Sequence, residues 1–280
     1  YWEIWNEPDL YPKCWKGTPE EFYDLYRTAS KHLKERFPDI KIGGPAICGY
    51  NLPWLRPFFA MIRDEGLPFD FYSWHRYARN VGDIVGDIRL HRALLDEYGF
   101  TNTESILDEW NYVRSFCGEE WAYSLRNMIG MKGAAFTAAV MAASQDEPVD
   151  MLMYYDARLS SGMNCIFEGQ TCTTRKGYHA VKTWGEMALL GDECETVCDV
   201  PDIWSTTAVK DGNSITMVTY YSDDDNALPR EFTVEFDGGD ELRTIYLIDD
   251  THDLEPVKTI ASDNGKFTLT MNANTVVVIR

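Results

Sequence analysis

Positive charge is scarce in this sequence: 26 lysines and arginines stand against 45 aspartates and glutamates, giving a formal net charge of −19 over 280 residues. The acidity is spread along the chain, with only one short run, Asp223-Asp224-Asp225. A polyanionic partner would be repelled, so neither nucleic acid nor an anionic membrane surface is expected. Long apolar runs are missing too, and no stretch approaches the length of a membrane span. The seven cysteines (14, 48, 117, 165, 172, 194 and 198) form an odd set without the paired spacing of a zinc site, so no metal is expected. Cys194 and Cys198 are spaced for a bridge or for helical neighbours, and Cys165 and Cys172 could close a loop. Reduced thiols are the simpler expectation and favour a cytoplasmic setting. The sequence opens on tyrosine rather than methionine, so the lack of a leader here does not exclude secretion.

What is present is core. Hydrophobic residues make up 45% and aromatics 14% of the chain, enough for one large or two smaller globular domains. No low-complexity linker interrupts it.

The organising stretch is the first, Tyr1-Trp2-Glu3-Ile4-Trp5-Asn6-Glu7-Pro8. It reads as an aromatic strand stopped by Pro8, which has no ladder N–H, and this places Glu7 at a strand's C-terminal end. Thr18-Pro19-Glu20-Glu21 then supplies an N-cap, a proline at the first helical position and an acid three residues after the cap. Apolar residues at helical spacing carry that helix to Phe37-Pro38, and 40–45 is a short strand ended by glycine and proline. The unit repeats: helix 52–65, strand 69–77, helix 84–98, strand 105–111, one helix over 121–144, strand 151–155 and helix 174–190. Alternation at this period predicts a parallel sheet. From about residue 195 β-branched runs separated by turns take over, at 203–209, 215–221, 231–236, 242–249, 267–271 and 275–279. Asp211-Gly212-Asn213 and Asp237-Gly238-Gly239 are two of the turns, and together the runs predict an antiparallel β-sandwich.

Chemistry gathers at the strand ends. Strand 69–77 closes on Ser73-Trp74-His75-Arg76-Tyr77, where period two turns His75 and Tyr77 to one face. Strand 105–111 closes on Asp108-Glu109-Trp110-Asn111, and alternation does not decide which acid faces the site. Strand 151–155 ends on Tyr154 and Tyr155, rings suited to stacking on a sugar or filling a barrel mouth. Two carboxyl groups on different strand ends are what glycosidic cleavage needs, one to protonate the leaving oxygen and one to attack the anomeric carbon. No organic cofactor is required for that chemistry.

The ordered motifs Trp5-Asn6-Glu7-Pro8, Ser73-Trp74-His75-Arg76-Tyr77 and Asp108-Glu109-Trp110-Asn111 resemble those of the retaining (β/α)8 glycoside hydrolases of clan A, most closely family 39, which includes β-xylosidases and α-L-iduronidases. The resemblance covers roughly residues 1–195. It implies that Glu7 is the acid/base and Glu109 the nucleophile, that Asn6 binds the sugar 2-hydroxyl, and that His75 and Tyr77 orient the reacting groups. Trp5, Trp110, Tyr154 and Tyr155 are candidates to contact substrate. It also implies that 1–194 supplies strands four to eight of a TIM barrel and 195–280 the sandwich, so that strands one to three are not in this sequence. The expectation is therefore a part of a longer xyloside-type glycosidase, or copies that associate to cover open sheet edges. The alternative is a non-catalytic carbohydrate-binding or structural protein built on a truncated barrel. Arg76 and Arg158 suit a carboxylated sugar, and suit intrachain ion pairs equally well.

Overall fold

The computed structural model describes residues 1–237 and 241–280, so the glycines of the expected Asp237-Gly238-Gly239 turn lie outside the described residues. Two compact units divide the chain, one built from Tyr1–Ala78, Gly82–Trp110 and Asp146–Tyr155, the other from Arg79–Val81, Asn111–Gln145 and Asp156–Arg280.

The first unit opens with β1 (Trp2–Glu3), followed by α1 (Pro19–Arg36), β2 (Ile42–Ile47), α2 (Leu52–Glu65), β3 (Phe71–Ala78), α3 (Val81–Glu97) and β4 (Glu104–Tyr112). Between β4 and β5 (Met151–Tyr154) the chain passes through two helices of the second unit, α4 (Gly118–Met128) and α5 (Met131–Ala143). The strands form one five-stranded sheet in the order β1-β2-β3-β4-β5, with parallel pairing of β1 to β2, β2 to β3 and β4 to β5. The expected cap of α1 is made: the Glu21 N–H donates to Thr18 Oγ1 and the Thr18 N–H donates to the Glu21 carboxylate. Phe22, Tyr26, Trp54, Phe58, Phe59 and Phe69 interlock ring on ring beneath α1 and α2. β2 is buried throughout, and Gly43 is required there, since a Cβ would stand 2.0 Å from the Phe71 carbonyl oxygen of β3.

Two expectations fail in instructive ways. The opening strand does not run to Pro8: β1 ends at Glu3, because Trp5 and Glu7 take left-handed backbone angles (φ 73° and 48°) that no strand accommodates. The helix expected over 121–144 is two, because Gly130 is extended at the junction and Gly133 packs where a Cβ would lie 1.8 Å from the Met128 carbonyl oxygen.

The second unit continues with α6 (Lys176–Leu190), β6 (Asp192–Cys194), β7 (Ile203–Lys210), β8 (Asn213–Tyr220), β9 (Arg230–Glu235), β10 (Leu242–Ile248), β11 (Asp253–Ala261), β12 (Lys266–Met271) and β13 (Thr275–Ile279). A six-stranded antiparallel sheet runs β11-β10-β13-β8-β7-β6, and β12 pairs with β9. One apolar cluster joins α5 and α6 to the larger sheet through Ala134, Ala138, Met187, Met217 and Val276. Another joins β12 and β9 to it through Phe267, Leu269, Val218, Ile245 and Val277. β6 and β11 have no counterpart in the sequence reading. β11 is a largely exposed edge strand of mixed polarity carrying Pro256 at a register shift, so it lacks the alternation that marks a half-buried strand. All seven cysteines are free, and Cys194 and Cys198 lie on a strand and a loop rather than on a helix.

Candidate functional site

The left-handed residues that stop β1 also build the site. They lift the 5–9 segment off the strand path while the Glu7 N–H still donates to the Ala46 carbonyl at 2.9 Å. Asp9 then latches the segment to the turn beyond β2, accepting from the Cys48 N–H at 3.0 Å and from Asn51 Nδ2 at 3.3 Å. Glu7 is thereby held over the sheet.

β3 brings His75 and Tyr77 to it. Period two turns Ser73, His75 and Tyr77 to one face and Tyr72, Trp74 and Arg76 to the other. His75 Nδ1 is 2.8 Å from Glu7 Oε1 and 3.5 Å from Glu109 Oε2, and its Nε2 is 3.6 Å from Asp108 Oδ1, an ion pair longer than a hydrogen bond. The Tyr77 hydroxyl donates to Glu109 Oε2 at 2.7 Å. Alternation could not choose between Asp108 and Glu109, and the reason is a bulge. Leu107 pairs with Leu152 and Trp110 with Tyr154, so two residues of β4 oppose one of β5 and both acids reach the imidazole.

The charges follow from this company. Burial alone would depress His75, but Asp108, Glu7 and Glu109 more than offset it and push its pKa up to about 10, so it is an imidazolium at neutral pH. Burial would raise Glu7, yet the hydrogen bond and charge of His75 bring it below the ordinary glutamate value. Glu109 is raised, because burial together with the charges of Glu7 and Asp108 outweighs His75 and Tyr77. A fourth acid, Glu3, went unnoticed in the sequence. The residue as a whole is exposed, but its carboxyl turns in to Asp108 and Ser73, and burial there plus the Asp108 charge lift its pKa to about 8. Glu3 is four residues before Glu7, and period two already sets residues 3 and 7 of an extended stretch on one face, the signal that could have found it. The mutual closeness of Glu7, His75 and Glu109 is that of an imidazolium shared by carboxylates and requires no ion to explain it.

The remaining expected residues divide. Tyr155 meets Tyr77 edge-on at 6.5 Å, beside the cluster. Trp110 is 1% exposed and packs edge-on against Tyr154. Trp5 points away: its indole N–H donates to the Cys14 carbonyl and its ring meets Trp15. Asn6 is exposed beside Glu7. Arg76 pairs with Asp87 at 3.0 Å and Arg158 with Asp156, so both guanidinium groups already have carboxylate partners within the chain. Two thiols also border Glu7, Cys14 and Cys48, and no sequence signal pointed to either.

The family model described as Glycosyl hydrolases family 39 matches residues 1–189. A beta-xylosidase of Geobacillus stearothermophilus is 37% identical over 76 residues, which are 27% of this chain and 15% of that protein. The matched stretch is thus a small part of that relative's length. The crystal structure of a glucosidase from Croceicoccus marinus superposes over 100% of this chain and 68% of its own with a TM-score of 0.77 at 20% identity. That of a monomeric beta-xylosidase from Caulobacter crescentus does so over 100% and 69%, with a TM-score of 0.77 at 16% identity. At such identities the structural likeness speaks for the fold: a mixed α/β architecture with a parallel half-barrel sheet and separate antiparallel sheets.

Proposed function

The chain belongs to glycosyl hydrolase family 39, and from that premise we propose that it cleaves β-xyloside-type O-glycosidic bonds by double displacement, with Glu7 as acid/base and Glu109 as nucleophile. One observation carries this reading: an oxygen of Glu7, an oxygen of Glu109 and a nitrogen of His75 lie within 4.8 Å of one another. Retaining glycosidases hold their two carboxyl groups about 5–5.5 Å apart, whereas inverting ones leave roughly 6.5–9.5 Å for a water.

In the first step a Glu109 oxygen attacks the anomeric carbon while the leaving oxygen takes a proton from Glu7. In the second, Glu7 deprotonates the water that cleaves the resulting ester. The two shifts run against that division, since Glu7 is lowered and Glu109 raised. The 2.8 Å bond to His75 reconciles them. The Glu7–His75 pair holds one proton, and its transfer to the carboxylate leaves a neutral acid beside a neutral imidazole. The positive charge growing at the anomeric carbon then faces Glu109 in place of the imidazolium. Asn6 would bind the 2-hydroxyl, Tyr77 would orient Glu109, and Tyr154 and Tyr155 would contact sugar, whereas Trp5, turned to Cys14 and Trp15, and the buried Trp110 would act only as packing around the site.

We also assign residues 1–194 to an arc equivalent to strands four to eight of an eight-stranded barrel and 195–280 to an appended β-sandwich. β1 and β5 are the two edges of the parallel sheet, and Tyr1, Trp2 and Trp5 are exposed around the first. A second copy covering that edge is the expected assembly. A monodisperse monomer of 32.2 kDa in light scattering would count against it.

The test of function is turnover of aryl xyloside, arabinofuranoside, glucoside, galactoside and glucuronide by this chain and by a chain carrying additional upstream sequence. Xyloside hydrolysis with retained anomeric configuration supports the reading. Sugar binding without turnover in either chain would favour the non-catalytic alternative. Glu7→Ala should slow substrates with poor leaving groups about 10²–10⁴-fold while sparing activated aryl glycosides.

A further inference from the structure

The carboxylate of Glu7 is held from both sides. His75 Nδ1 takes Oε1 at 2.8 Å, and the Cys14 thiol donates to Oε2 at 3.4 Å. A thiol is a weak donor, and it donates only while protonated. Cys14 is kept in that form, its pKa raised by burial and by the Glu7 carboxylate, since a thiolate there would set two negative charges against each other. Cys48, beyond β2, faces the same carboxylate and is pushed up to about 12 by burial and by the charges of Glu7 and Asp9. Glu109 adds to the rise at Cys14 and the neighbouring Lys13 opposes it without reversing it, so neither sulfur is poised as a nucleophile.

The backbone makes this arrangement a closed loop. The Cys14 N–H donates to the Leu10 carbonyl at 3.0 Å, and the Trp5 indole N–H donates to the Cys14 carbonyl at 2.9 Å. Residue 5 therefore ties down residue 14, and residue 14 reaches back to residue 7. We propose that Cys14 is a positioning residue for Glu7: its S–H fixes Oε2 opposite His75 and biases the carboxyl toward its ionised form until a leaving-group oxygen takes the thiol's place. This deepens the acid/base reading of Glu7 and rests on it. The other titratable groups facing Glu7 are His75 and Tyr77 from β3, Glu109 from β4, Asp9 on its own segment and Cys48.

Two measurements test it, one of which needs no turnover. The pH dependence of Cys14 alkylation by iodoacetamide, read peptide by peptide in a mass spectrometer, should have its midpoint about one pH unit lower in Glu7→Gln than in the parent, roughly tenfold more thiolate at a given pH. An unchanged midpoint overturns the proposal whether or not the protein is a glycosidase. On an aryl glycoside, Cys14→Ala should move the alkaline limb of kcat/KM upward by about half a unit or more, because Glu7 loses a donor to its charged form. Cys14→Ser, which keeps a donor, should leave that limb in place or lower it. Equal shifts in both variants would mark Cys14 as mere packing and overturn the proposal. Absence of turnover in every variant would count against the glycosidase reading and leave the alkylation result to decide the role of the thiol.

Discussion

The two faces of β3 hold two imidazoles that burial does not distinguish. His75 is 1% exposed and His91, received from α3 by the opposite face, is 0% exposed. His75 is surrounded by Glu7, Asp108 and Glu109 and is pushed up to about 10. His91 stacks on Trp74 at 4.0 Å, meets Tyr50 edge-on and has its Nδ1 2.8 Å from the Tyr72 hydroxyl. Burial, assisted by the charge of Arg76, takes it down to about 3. Equal desolvation gives opposite ionisation. The strand's alternation sorts neighbours into carboxylates on one side and rings on the other, and those neighbours set the charge.

The largest expected effect removes a carboxylate from the charged face. Glu109→Gln should abolish turnover of an aryl glycoside while leaving sugar binding by calorimetry largely intact, because the amide is nearly isosteric but no nucleophile. Retention of near-parental rates would dismiss Glu109 as the attacking group. Next, His75→Gln takes the cation from among three acids and should lower kcat about a hundredfold or more. It should also flatten the alkaline side of the stability curve. A histidine whose pKa rises on folding contributes stability in full below its unfolded value near 6.5, and that contribution is lost as pH rises through about 10. Glu3 works in the same direction, its contribution fading between about 4.5 and 8.

On the other face the sign reverses. His91 is folded neutral, so its contribution is complete above about 6.5 and is lost as pH falls toward 3, a change on the order of a few kcal/mol. Urea midpoints between pH 7 and pH 4 should accordingly fall less for His91→Phe than for the parent, and equal falls would mean that His91 is not the buried neutral group. The smallest effect is expected from Tyr72→Phe, which removes one hydrogen bond from the apolar face. It should cost about 1 kcal/mol in denaturation and leave turnover unchanged.

Much of this was legible in the sequence wherever a single period governed. The strand–helix alternation, the Thr18 cap and the shared face of His75 and Tyr77 all follow from spacings of 3.6 or 2. What escaped were the departures from a period. Left-handed Trp5 and Glu7 end β1 early, and no residue type at 5 or 7 signals φ above zero. The Asp108–Glu109 bulge hid its own effect, since alternation assumes that it is not there. Gly130 and Gly133 were visible as letters, but their meaning lay in the approach of Met128, a contact that a helical pattern does not display. Cys14 meets Glu7 through bonds to Leu10 and Trp5, and Cys48 through the turn that Asp9 ties down, none of them periodic.

The bulge in β4 has a consequence for how the acid cluster can change. Leu107 and Trp110 are already in register with Leu152 and Tyr154, and the two acids between them oppose Met153 alone, one residue in excess of the partner strand. Loss of one codon at 108 or 109 would restore an ordinary ladder and leave Trp110 opposite Tyr154. The lineage could therefore shed or regain a carboxylate without having to invent a new sheet.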